Sequence, residues 1–435
     1  MANILLRNRD IPDLWQFETY VANGGYDGLK KAVQNHSPEE VIQIVLDSNL
    51  RGRGGAGFPA GRKWSFIPKD AAIKYVTVNA DESEPGTFKD RELLEANPHQ
   101  VIEGALIAAY AIQASAVYIY CRGEFWDLAH QLEERIEEAT NANLAGDNIL
   151  GSGWSCPVYV HLGAGAYICG EESALLNSLQ GLLGQPRVRP PFPAQMGGGL
   201  YYYPTVVNNV ETLANVPWIL VNGADAYKEI GVHPSTGPKI FCMSGHVEKP
   251  GNYEVPFGTT FRELIYDHAG GVPNGKALKG ILPSGASGPV LKVTEEVLDA
   301  ALTYERVAEL GSTLGSASFI LMDEDTDIVW AAAKMIHFFK HESCGKCTPC
   351  REGCYWLDQI YHRLLSGHGT MRDIELLEQV PVQMAGLTLC ALGEFAVNPV
   401  LATVRQFRDE YERYVTKSAE ETVKEPGLKL LIEAD

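Results

Sequence analysis

The most constraining feature of this chain is the bunching of its cysteines, because four of the nine lie between Cys344 and Cys354. The spacing Cys344-x-x-Cys347-x-x-Cys350 places three thiols in one tight loop, in which Pro349 disfavours a continuous helix. Thiolates at this density are typical ligands of zinc or of an iron–sulfur cluster. Zinc sites usually use two separated pairs, so the three consecutive ligands favour a cubane cluster over zinc. The bunching also disfavours a helix face lined with small apolar thiols.

The fourth ligand of such a cluster has two candidates. Cys354 completes the C-x2-C-x2-C-x3-C run of small ferredoxins, but Tyr355 follows it where that run has proline. Cys390 is the more distant candidate. The spacing alone leaves both open.

Length, composition and charge limit the function classes. The chain has 435 residues, enough for two to four domains, with 45% hydrophobic and 21% charged residues as in a water-soluble globular protein. Its formal net charge of -19 argues against nucleic-acid binding, which needs clustered Lys and Arg.

We expect neither a secretory signal nor a transmembrane segment. The first residues, Met1 to Asp10, lack an apolar signal core. The long apolar stretch from Val101 to Cys121 contains polar residues and ends in an alternating run, which predicts a buried helix followed by a strand. Any membrane contact would therefore come through partner proteins.

Strands and helices alternate in the first part of the chain. The predicted elements are a helix over 38–50 capped by Ser37, a strand over 75–78, a helix over 101–112, a strand near Tyr118, a helix over 125–141, a strand over 158–162 and a helix from about Glu171. This alternation predicts an α/β domain with a largely parallel sheet.

The remainder of the chain departs from this alternating pattern of strands and helices. The segment 185–203 is rich in proline and has three consecutive glycines, so we expect an irregular loop wrapped around a site. Residues 239–256 predict a hairpin that turns at Pro250-Gly251, followed by a short helix over 260–269, in a small α+β unit. A helical bundle that carries the cysteines is predicted from four helical stretches, at 328–341, 353–366, 372–386 and 396–413. We expect the tail after Lys417 to be frayed.

The segment Gly52-x-Gly54-x-x-Gly57 formally matches a dinucleotide-binding fingerprint. It follows a predicted helix, whereas the fingerprint requires a preceding strand, so the match alone is weak. Nearby cations and aromatic side chains strengthen this match, because the cations can neutralise a phosphate and the aromatic side chains can stack on the rings of a ligand. They are Arg51, Arg53, Arg62, Lys63, Phe58, Trp64 and Phe66.

Two further loops follow predicted strands. The glycine-rich loop 163–170 precedes a helix whose first turn contains Glu171 and Glu172. These carboxylates either complement the helix dipole or bind hydroxyl groups of a ribose or flavin. The acidic loop from Asn79 to Glu84 is a solvated turn by default, yet it lies at a strand end, where α/β domains bind ligands.

Four long motifs, taken together and in this order, resemble the flavoprotein subunit of respiratory complex I, the NADH:quinone oxidoreductase. They are RGRGGAGFPAGRKW at 51–64, NADESEPGTFKDR at 79–91, GAGAYICGEESALLNSLQG at 163–181 and ESCGKCTPCREG at 342–353. The resemblance covers nearly the whole chain. It implies a Rossmann-like α/β domain over 1–235 that binds FMN and NADH, an α+β β-grasp domain of the soluble-ligand-binding kind over 236–325, and an all-α four-helix bundle over 326–435 that holds one [4Fe–4S] cluster.

The resemblance also implies the site residues. The expected FMN contacts are Gly52, Arg53, Gly54, Gly55, Lys63, Asn79, Asp81, Glu82, Tyr167, Gly170, Glu171, Asn208, Asn209 and Thr212. For NADH, Phe58, Phe66 and Phe192 would stack around the adenine, Glu84 would contact the nicotinamide carboxamide as the catalytic-site carboxylate, and Glu172 would lie near a ribose. The family's cluster ligands map onto Cys344, Cys347, Cys350 and Cys390, which favours Cys390 over Cys354.

The function that follows from the resemblance is oxidation of NADH by hydride transfer to FMN, with electrons passed singly to the cluster. The implied partners are a thioredoxin-like [2Fe–2S] subunit and a large iron–sulfur subunit, at the cytoplasmic side of a bacterial inner membrane. The first alternative is the diaphorase subunit of an NAD-linked hydrogenase or formate dehydrogenase, which often carries extra domains that 435 residues leave no room for. The second is a non-catalytic, metal-stabilised binding scaffold.

Overall fold

The structure, a computed structural model, describes residues 3–417. The chain divides into two compact units, Met1–Glu324 and Asp325–Asp435. The tail beyond Lys417, which the sequence predicts to be frayed, lies outside the described residues.

The first unit contains a four-stranded, fully parallel sheet. Its strands are β1 (Tyr75–Ala80), β2 (Ala116–Cys121), β3 (Val158–Leu162) and β4 (Thr205–Asn209), in the order β3-β2-β1-β4. The predicted strands β1, β2 and β3 are confirmed. The sequence analysis missed β4, because it follows an irregular segment and its last residues are Asn-Asn, which strands rarely contain.

Helices surround this sheet. They are α1 (Phe17–Ala22), α2 (Asp27–Asn35), α3 (Pro38–Asp47), α4 (Ala60–Ser65), α5 (Lys89–Ala96), α6 (Pro98–Ile112), α7 (Trp126–Asn141), α8 (Glu172–Leu179), α9 (Val210–Ala214), α10 (Val216–Asn222) and α11 (Ala224–Lys228). The start of α3 is encoded locally, since Ser37 forms the predicted cap as part of a capping box with Glu40.

The long apolar stretch of the sequence forms the centre of this region. Every residue of α6 is buried, and the chain continues from it into β2, as predicted. A helix that is apolar around its whole circumference requires cover on all sides, which the sheet and the neighbouring helices provide. Among residues 3–417, no helix is both long and apolar enough to span a membrane.

A second sheet lies between residues 238 and 323, and we call this part the five-stranded region. It contains β5 (Pro238–Gly245), β6 (Gly251–Pro256), β7 (Leu278–Ala286), β8 (Leu291–Lys292) and β9 (Ser318–Asp323), in the order β8-β7-β9-β5-β6, with the short helices α12 (Glu295–Leu298) and α13 (Tyr304–Glu309). The predicted hairpin is β5 and β6. The helix predicted over 260–269 is a π-type turn at Glu263–His268. This region packs around its own apolar core, which includes Phe241, Phe261 and Phe319.

The described part of the second unit is mainly helical, with one short parallel pairing between Gly369–Thr370 and Val415–Lys417. Its helices are α14 (Ile328–Glu342), α15 (Thr348–Arg363), α16 (Met371–Val382), α17 (Leu392–Gln406) and α18 (Arg408–Glu412), in agreement with the four predicted helical stretches. The expectation that no continuous helix runs through the cysteine spacing is confirmed, because α14 ends at Glu342 and α15 begins only at Thr348, with Pro349 in its first turn. Proline is tolerated in the first helical turn, where its missing N–H has no intrahelical partner to lose.

Candidate functional site

The carboxyl ends of β1 and β4 bring together polar side chains that are distant in the sequence. The Asn79 side-chain amide donates to the Gly170 carbonyl at 2.8 Å, and its oxygen accepts from the Asp81 amide at 3.1 Å. At the end of β4, the Asn208 side-chain oxygen accepts from the Trp64 indole N–H at 2.8 Å. The acidic loop after β1 and the glycine-rich loop after β3 therefore meet at the carboxyl edge of the sheet, as expected for parallel strands.

The glycine-rich loop 52–57 lies against the same edge. The Arg53 amide donates to the Thr212 hydroxyl at 2.8 Å. A Cβ on Gly54 would lie 2.8 Å from the Cβ of Asn209, so the close approach of the two backbones requires glycine there. Gly55 borders open space, with no atom within 4 Å of its Cβ position. The loop is thus fixed on one side and open to a ligand on the other.

The Arg53 side chain, which the sequence suggests as a source of phosphate charge, lies in the interior of the first unit. Its guanidinium is completely buried and donates to the Tyr227 hydroxyl at 3.0 Å and the Thr236 carbonyl at 2.8 Å. It also lies over the Phe257 ring, 4.7 Å from the centroid. The Arg53 backbone amide lies in the loop itself, and among the described residues the Nε and Nη1 atoms of its side chain have no hydrogen-bond partner.

Lys63 and Glu172 form a half-buried ion pair near the loop. The Lys63 ammonium lies 3.0 Å from a Glu172 oxygen and also donates to the Val207 carbonyl at 2.9 Å. Arg189, which the sequence analysis did not single out, contacts Glu172 at 3.1 Å. Burial alone would raise the pKa of Glu172, but the two cations outweigh burial and lower it.

Two acidic residues predicted to contact the cofactor hold helix ends. Glu171 caps α8 by accepting from the Ser173 and Ala174 amides at 3.0 and 2.9 Å. This arrangement is the dipole-complementing alternative considered for the sequence. Glu82 is buried and accepts from the Asp90 and Arg91 amides at the start of α5, at 2.7 and 2.9 Å. Burial, together with the Asp90 charge, raises the pKa of Glu82 to about 7.

Glu84 accepts hydrogen bonds from two different parts of the first unit. The Tyr167 hydroxyl donates to it at 2.8 Å, and the Ser287 amide of the five-stranded region donates at 2.9 Å. Burial raises the pKa of Glu84 to about 7, against the opposing effect of these hydrogen bonds. Sequence reasoning missed Ser287, because no motif surrounds it and it lies about two hundred residues from Glu84.

The three predicted stacking rings are exposed apolar surfaces. Phe58 and Phe66 are 41% and 50% exposed, and their ring centroids lie 6.1 Å apart. Phe192 is 50% exposed and lies on the proline-rich loop beside Arg189. Arg187 fixes that loop through hydrogen bonds to the carbonyls of Gly198 and Gly199 at 3.0 and 2.8 Å, as expected for an irregular but ordered segment.

The edge of the sheet suits a flat, phosphate-bearing ligand such as FMN. Gly55 and its neighbours leave room for a ligand at the backbone, and Lys63 provides a cation. Within residues 3–417, the buried Ser83 hydroxyl has no hydrogen-bond partner, which leaves a polar group beside Asp81 and Glu82 for a ligand. These residues fit a ligand with hydroxyl groups and a phosphate.

The cysteine loop, residues 344–354, gathers thiols at the start of α15. Cys344 and Cys347 are partly exposed, whereas Cys350 and Cys354 are buried. The Cys350 sulfur lies 3.2 Å from the Ser343 hydroxyl. Hydrogen bonds from Cys354, Ser343 and Cys347 lower the pKa of Cys350 to about 7, although burial opposes this shift. Cys350 is therefore the thiol of this loop that most favours the thiolate form, which binds iron, whereas burial raises the pKa of Cys344.

Cys390 lies between α16 and α17, and its carbonyl accepts from the Thr388 hydroxyl at 2.9 Å. In the described part of the chain, no three His, Cys, Asp or Glu side chains converge closely enough to hold a single metal ion. The chemistry of the donor set, three clustered thiols and a partly exposed fourth, fits a sulfur-ligated iron cluster.

Comparison with family models matches three segments of the chain. Residues 45–218 match the Nuo51 FMN-binding domain, residues 240–293 match the SLBB domain, and residues 330–414 match the iron–sulfur binding region of NADH-ubiquinone oxidoreductase-F. The three segments follow the order of the two sheets and the helical unit.

Relatives that match nearly the whole chain are F subunits of NADH-quinone oxidoreductase. The chain is 48% identical to the F 2 subunit of NADH-quinone oxidoreductase from Rhizobium meliloti (strain 1021), over 95% of this chain and 97% of that protein. It is 50% identical to the F subunit of NADH-quinone oxidoreductase from Mycobacterium bovis (strain ATCC BAA-935 / AF2122/97), over 95% of this chain and 94% of that protein.

A solved structure of an NAD+-reducing [NiFe]-hydrogenase in the H2-reduced state is similar in fold, with a TM-score of 0.82 and 36% identity. The match covers 94% of this chain and 66% of the hydrogenase chain. The relatives and the FMN-binding and iron–sulfur segments therefore agree with the resemblance seen in the motifs. The chain belongs to the F-subunit family of NADH-quinone oxidoreductase, and it is an NADH dehydrogenase that uses FMN and a [4Fe–4S] cluster as the electron-input subunit of that enzyme.

Proposed function

We propose that NADH binds with its nicotinamide carboxamide at Glu84 and its adenine between the exposed rings of Phe58, Phe66 and Phe192. The observation that carries this proposal is the position of Glu84, a partly buried carboxylate held by Tyr167, at the end of the glycine-rich loop 163–170, and by Ser287. A carboxylate accepts hydrogen bonds at about four lone-pair positions, so both oxygens can still accept from the carboxamide. Glu172, held by Lys63, would accept from a ribose hydroxyl.

We propose further that FMN lies at the carboxyl edge of the parallel sheet. When bound, FMN supplies the two-electron to one-electron chemistry, accepting a hydride from NADH and releasing electrons singly. The residues proposed to hold it are Gly52, Gly54, Gly55, Lys63, Asn79, Asp81, Glu82, Tyr167, Gly170, Glu171, Asn208, Asn209 and Thr212, together with the backbone of Arg53. The chain's contribution is orientation of the two ring systems, which can lower a barrier by roughly 7–11 kcal/mol at best.

For the cluster, we propose Cys344, Cys347, Cys350 and Cys390 as ligands. Cys354 is buried and hydrogen-bonded to Cys350, which supports a role as a neighbour of the ligand set. Its one-turn distance from Cys350 on α15 places both thiols on the same helix face.

The domain limits proposed are 1–235, 236–325 and 326–435. The separate apolar core of the five-stranded region supports the first boundary, and the division after Glu324 supports the second. We assign these parts a Rossmann-like, a β-grasp and a four-helix-bundle fold.

The family of the relatives implies a multi-subunit complex. We propose that the partners are a thioredoxin-like [2Fe–2S] subunit and a large iron–sulfur subunit, at the cytoplasmic side of the membrane. A second candidate is the diaphorase role in an NAD+-reducing hydrogenase, which the structural match over 94% of this chain favours. Identification of the proteins that co-purify with the chain discriminates the two.

The test is Glu84→Gln, compared with Glu254→Gln. Glu254 is also a mostly buried carboxylate, but it accepts from the Ile4, Leu5 and Leu6 amides. We expect Glu84→Gln to raise KM for NADH with FMN retained, whereas Glu254→Gln leaves KM unchanged. Equal KM values for the two variants would refute the role of Glu84.

A further inference from the structure

The loop that carries Glu84, residues 79–88, is hydrogen-bonded to the five-stranded region at three residues, Glu84, Thr87 and Phe88. After Glu84, which accepts from the Ser287 amide, the Thr87 hydroxyl lies 3.0 Å from the Ser316 hydroxyl. The Phe88 amide then donates to the Cys242 sulfur at 3.3 Å. These contacts come from three different strands or strand ends, so the loop is held along its length.

Two close approaches in this contact admit only glycine. Gly285 at the end of β7 has a φ of +69°, and a Cβ there would lie 2.5 Å from the Pro85 carbonyl oxygen and 2.7 Å from a Glu84 carboxylate oxygen. Gly86 has a φ of +88°, and its Cβ would lie 2.9 Å from a side-chain carbon of Ile320. Separations of this kind are shorter than atoms tolerate, so a side chain at either position would push the two surfaces apart.

We propose that the turn 284–288 of the five-stranded region positions the Glu84 carboxylate for NADH, with Gly285 and Ser287 as positioning residues. The inference rests on the proposed contact between Glu84 and the nicotinamide carboxamide. It gives the five-stranded region a part in substrate binding that its fold alone does not suggest.

The physical basis is the fixing of one carboxylate from two directions. Tyr167, in the turn 167–170, donates to one Glu84 oxygen, and the Ser287 amide of the five-stranded region donates to the other. With both oxygens engaged, rotation of the carboxylate breaks at least one of these two hydrogen bonds. The remaining lone pairs then point in fixed directions, which lowers the entropy lost when the carboxamide binds.

The first test compares Gly285→Ala with Gly275→Ala in the purified enzyme complex. Gly275 has nearly the same backbone conformation, with a φ of +67°, but no atom lies within 4 Å of its Cβ position. Both variants thus incur similar backbone strain, and only Gly285→Ala displaces Glu84. We expect Gly285→Ala to raise KM for NADH at least about tenfold, within the roughly 10²-fold that a 1 Å misplacement can cause. FMN content and kcat stay close to those of Gly275→Ala.

A second pair keeps the inference testable if Gly285→Ala does not fold. Ile320→Ala removes the side chain that contacts the Glu84 loop at Gly86. Val293→Ala is its control, because Val293 is also a partly buried β-branched residue packed on the core of the five-stranded region. We expect a raised KM for NADH only in Ile320→Ala. Unchanged KM in each folded test variant, relative to its control, would overturn the inference.

Glu84→Gln separates this inference from the proposed role of Glu84. If Glu84→Gln raises KM but Gly285→Ala and Ile320→Ala match their controls, Glu84 binds NADH without help from the turn, and only the positioning role fails. If Glu84→Gln itself leaves KM unchanged, the proposed carboxamide contact fails, and the positioning role fails with it.

Discussion

The two cofactor regions of this chain are assembled in different ways. The cysteine loop draws three proposed ligands from seven consecutive residues, Cys344 to Cys350, at the start of one helix. The flavin and NADH region gathers residues from the glycine loop 52–57, from the ends of β1 and β4, from the turn 167–170 and from the five-stranded region. The first is a local site, and the second is a long-range one.

This difference determines what each region depends on. The three ligands of the cysteine loop need only a short turn and a helix start, so the class of cofactor can be read from their spacing. The fourth proposed ligand, Cys390, comes from the segment between α16 and α17, and spacing alone does not identify it. The flavin region needs the whole first unit to be folded, because its residues are held by contacts such as Glu84 with Ser287 and Arg53 with Thr212. Substitutions at a distance should therefore alter the flavin region more than the cysteine loop.

The largest expected effect is loss of the cluster in Cys347→Ser, with Cys354→Ser as the matched control. A ligand serine binds iron poorly, so Cys347→Ser should lose the cluster iron and its EPR signal, whereas Cys354→Ser retains both. FMN should remain bound in both variants, because its proposed residues all lie in the first unit. Loss of the cluster in Cys354→Ser would show that Cys354 is a ligand.

A large loss of stability is expected from Glu211→Gln in the first unit. Glu211 is fully buried and lies 2.5 Å from the Lys239 ammonium and 3.0 Å from the Lys89 ammonium. Burial alone would raise the pKa of Glu211, but these cations hold it below its usual value. Removing the charge leaves the buried Lys239 ammonium without its carboxylate partner, while Lys89 keeps Asp90 at 2.7 Å. Loss of a partner from a buried ion pair typically costs about 3–5 kcal/mol. Thermal unfolding should show this loss.

Glu295→Gln is the control for that experiment. Its carboxylate pairs with Arg262 on the exposed surface, so its removal should leave the unfolding temperature unchanged. If Glu211→Gln unfolds at the same temperature as the control, or releases the cluster iron before the flavin, the separation between a long-range first unit and a local cysteine loop is wrong.

A smaller effect is expected from pH. Because burial raises the pKa of Glu84 to about 7, the carboxylate gains a proton as the pH falls below 7 and loses half of its capacity as an acceptor. KM for NADH should therefore rise several-fold, roughly threefold to tenfold, between pH 8 and pH 6, given the usual strength of one hydrogen bond. The same profile should be flat in Glu84→Gln, which carries no titrating group. A wild-type profile as flat as that of the variant would contradict the assignment.

The smallest effect is expected from Thr370→Ala in the second unit. Thr370 forms a capping box with Asp373 at the start of α16. Loss of the cap should destabilise this unit by about 1 kcal/mol. KM for NADH should not change, and Thr370→Ser should restore the stability. A change in KM would mean that the NADH site depends on the second unit.

The features that could be predicted from the sequence are those encoded locally. The spacing of Cys344, Cys347 and Cys350, the alternating strands and the Ser37 cap each depend on residues within about one helical turn or one strand. The structure agrees with the predicted strands and with the cap.

The features that escaped prediction are long-range. Strand β4 is recognisable only beside β1, with which it pairs. Ser287 and Arg189 lie outside every motif, yet they contact Glu84 and Glu172. The Arg53 guanidinium, which the sequence suggests as a phosphate-binding cation, contacts Tyr227 and Phe257 in the interior of the first unit. None of these contacts leaves a signal in the neighbouring residues, because each is formed by tertiary packing.

The central claim is that this chain binds FMN at the sheet edge and an iron cluster at the cysteine loop, and that NADH reduces both. Its most direct test is EPR spectroscopy, with flavin and iron analysis, of the anaerobically prepared protein before and after addition of NADH. We expect bound FMN, cluster iron and a [4Fe–4S] signal that develops on addition of NADH. A folded protein that contains neither flavin nor iron would contradict the claim.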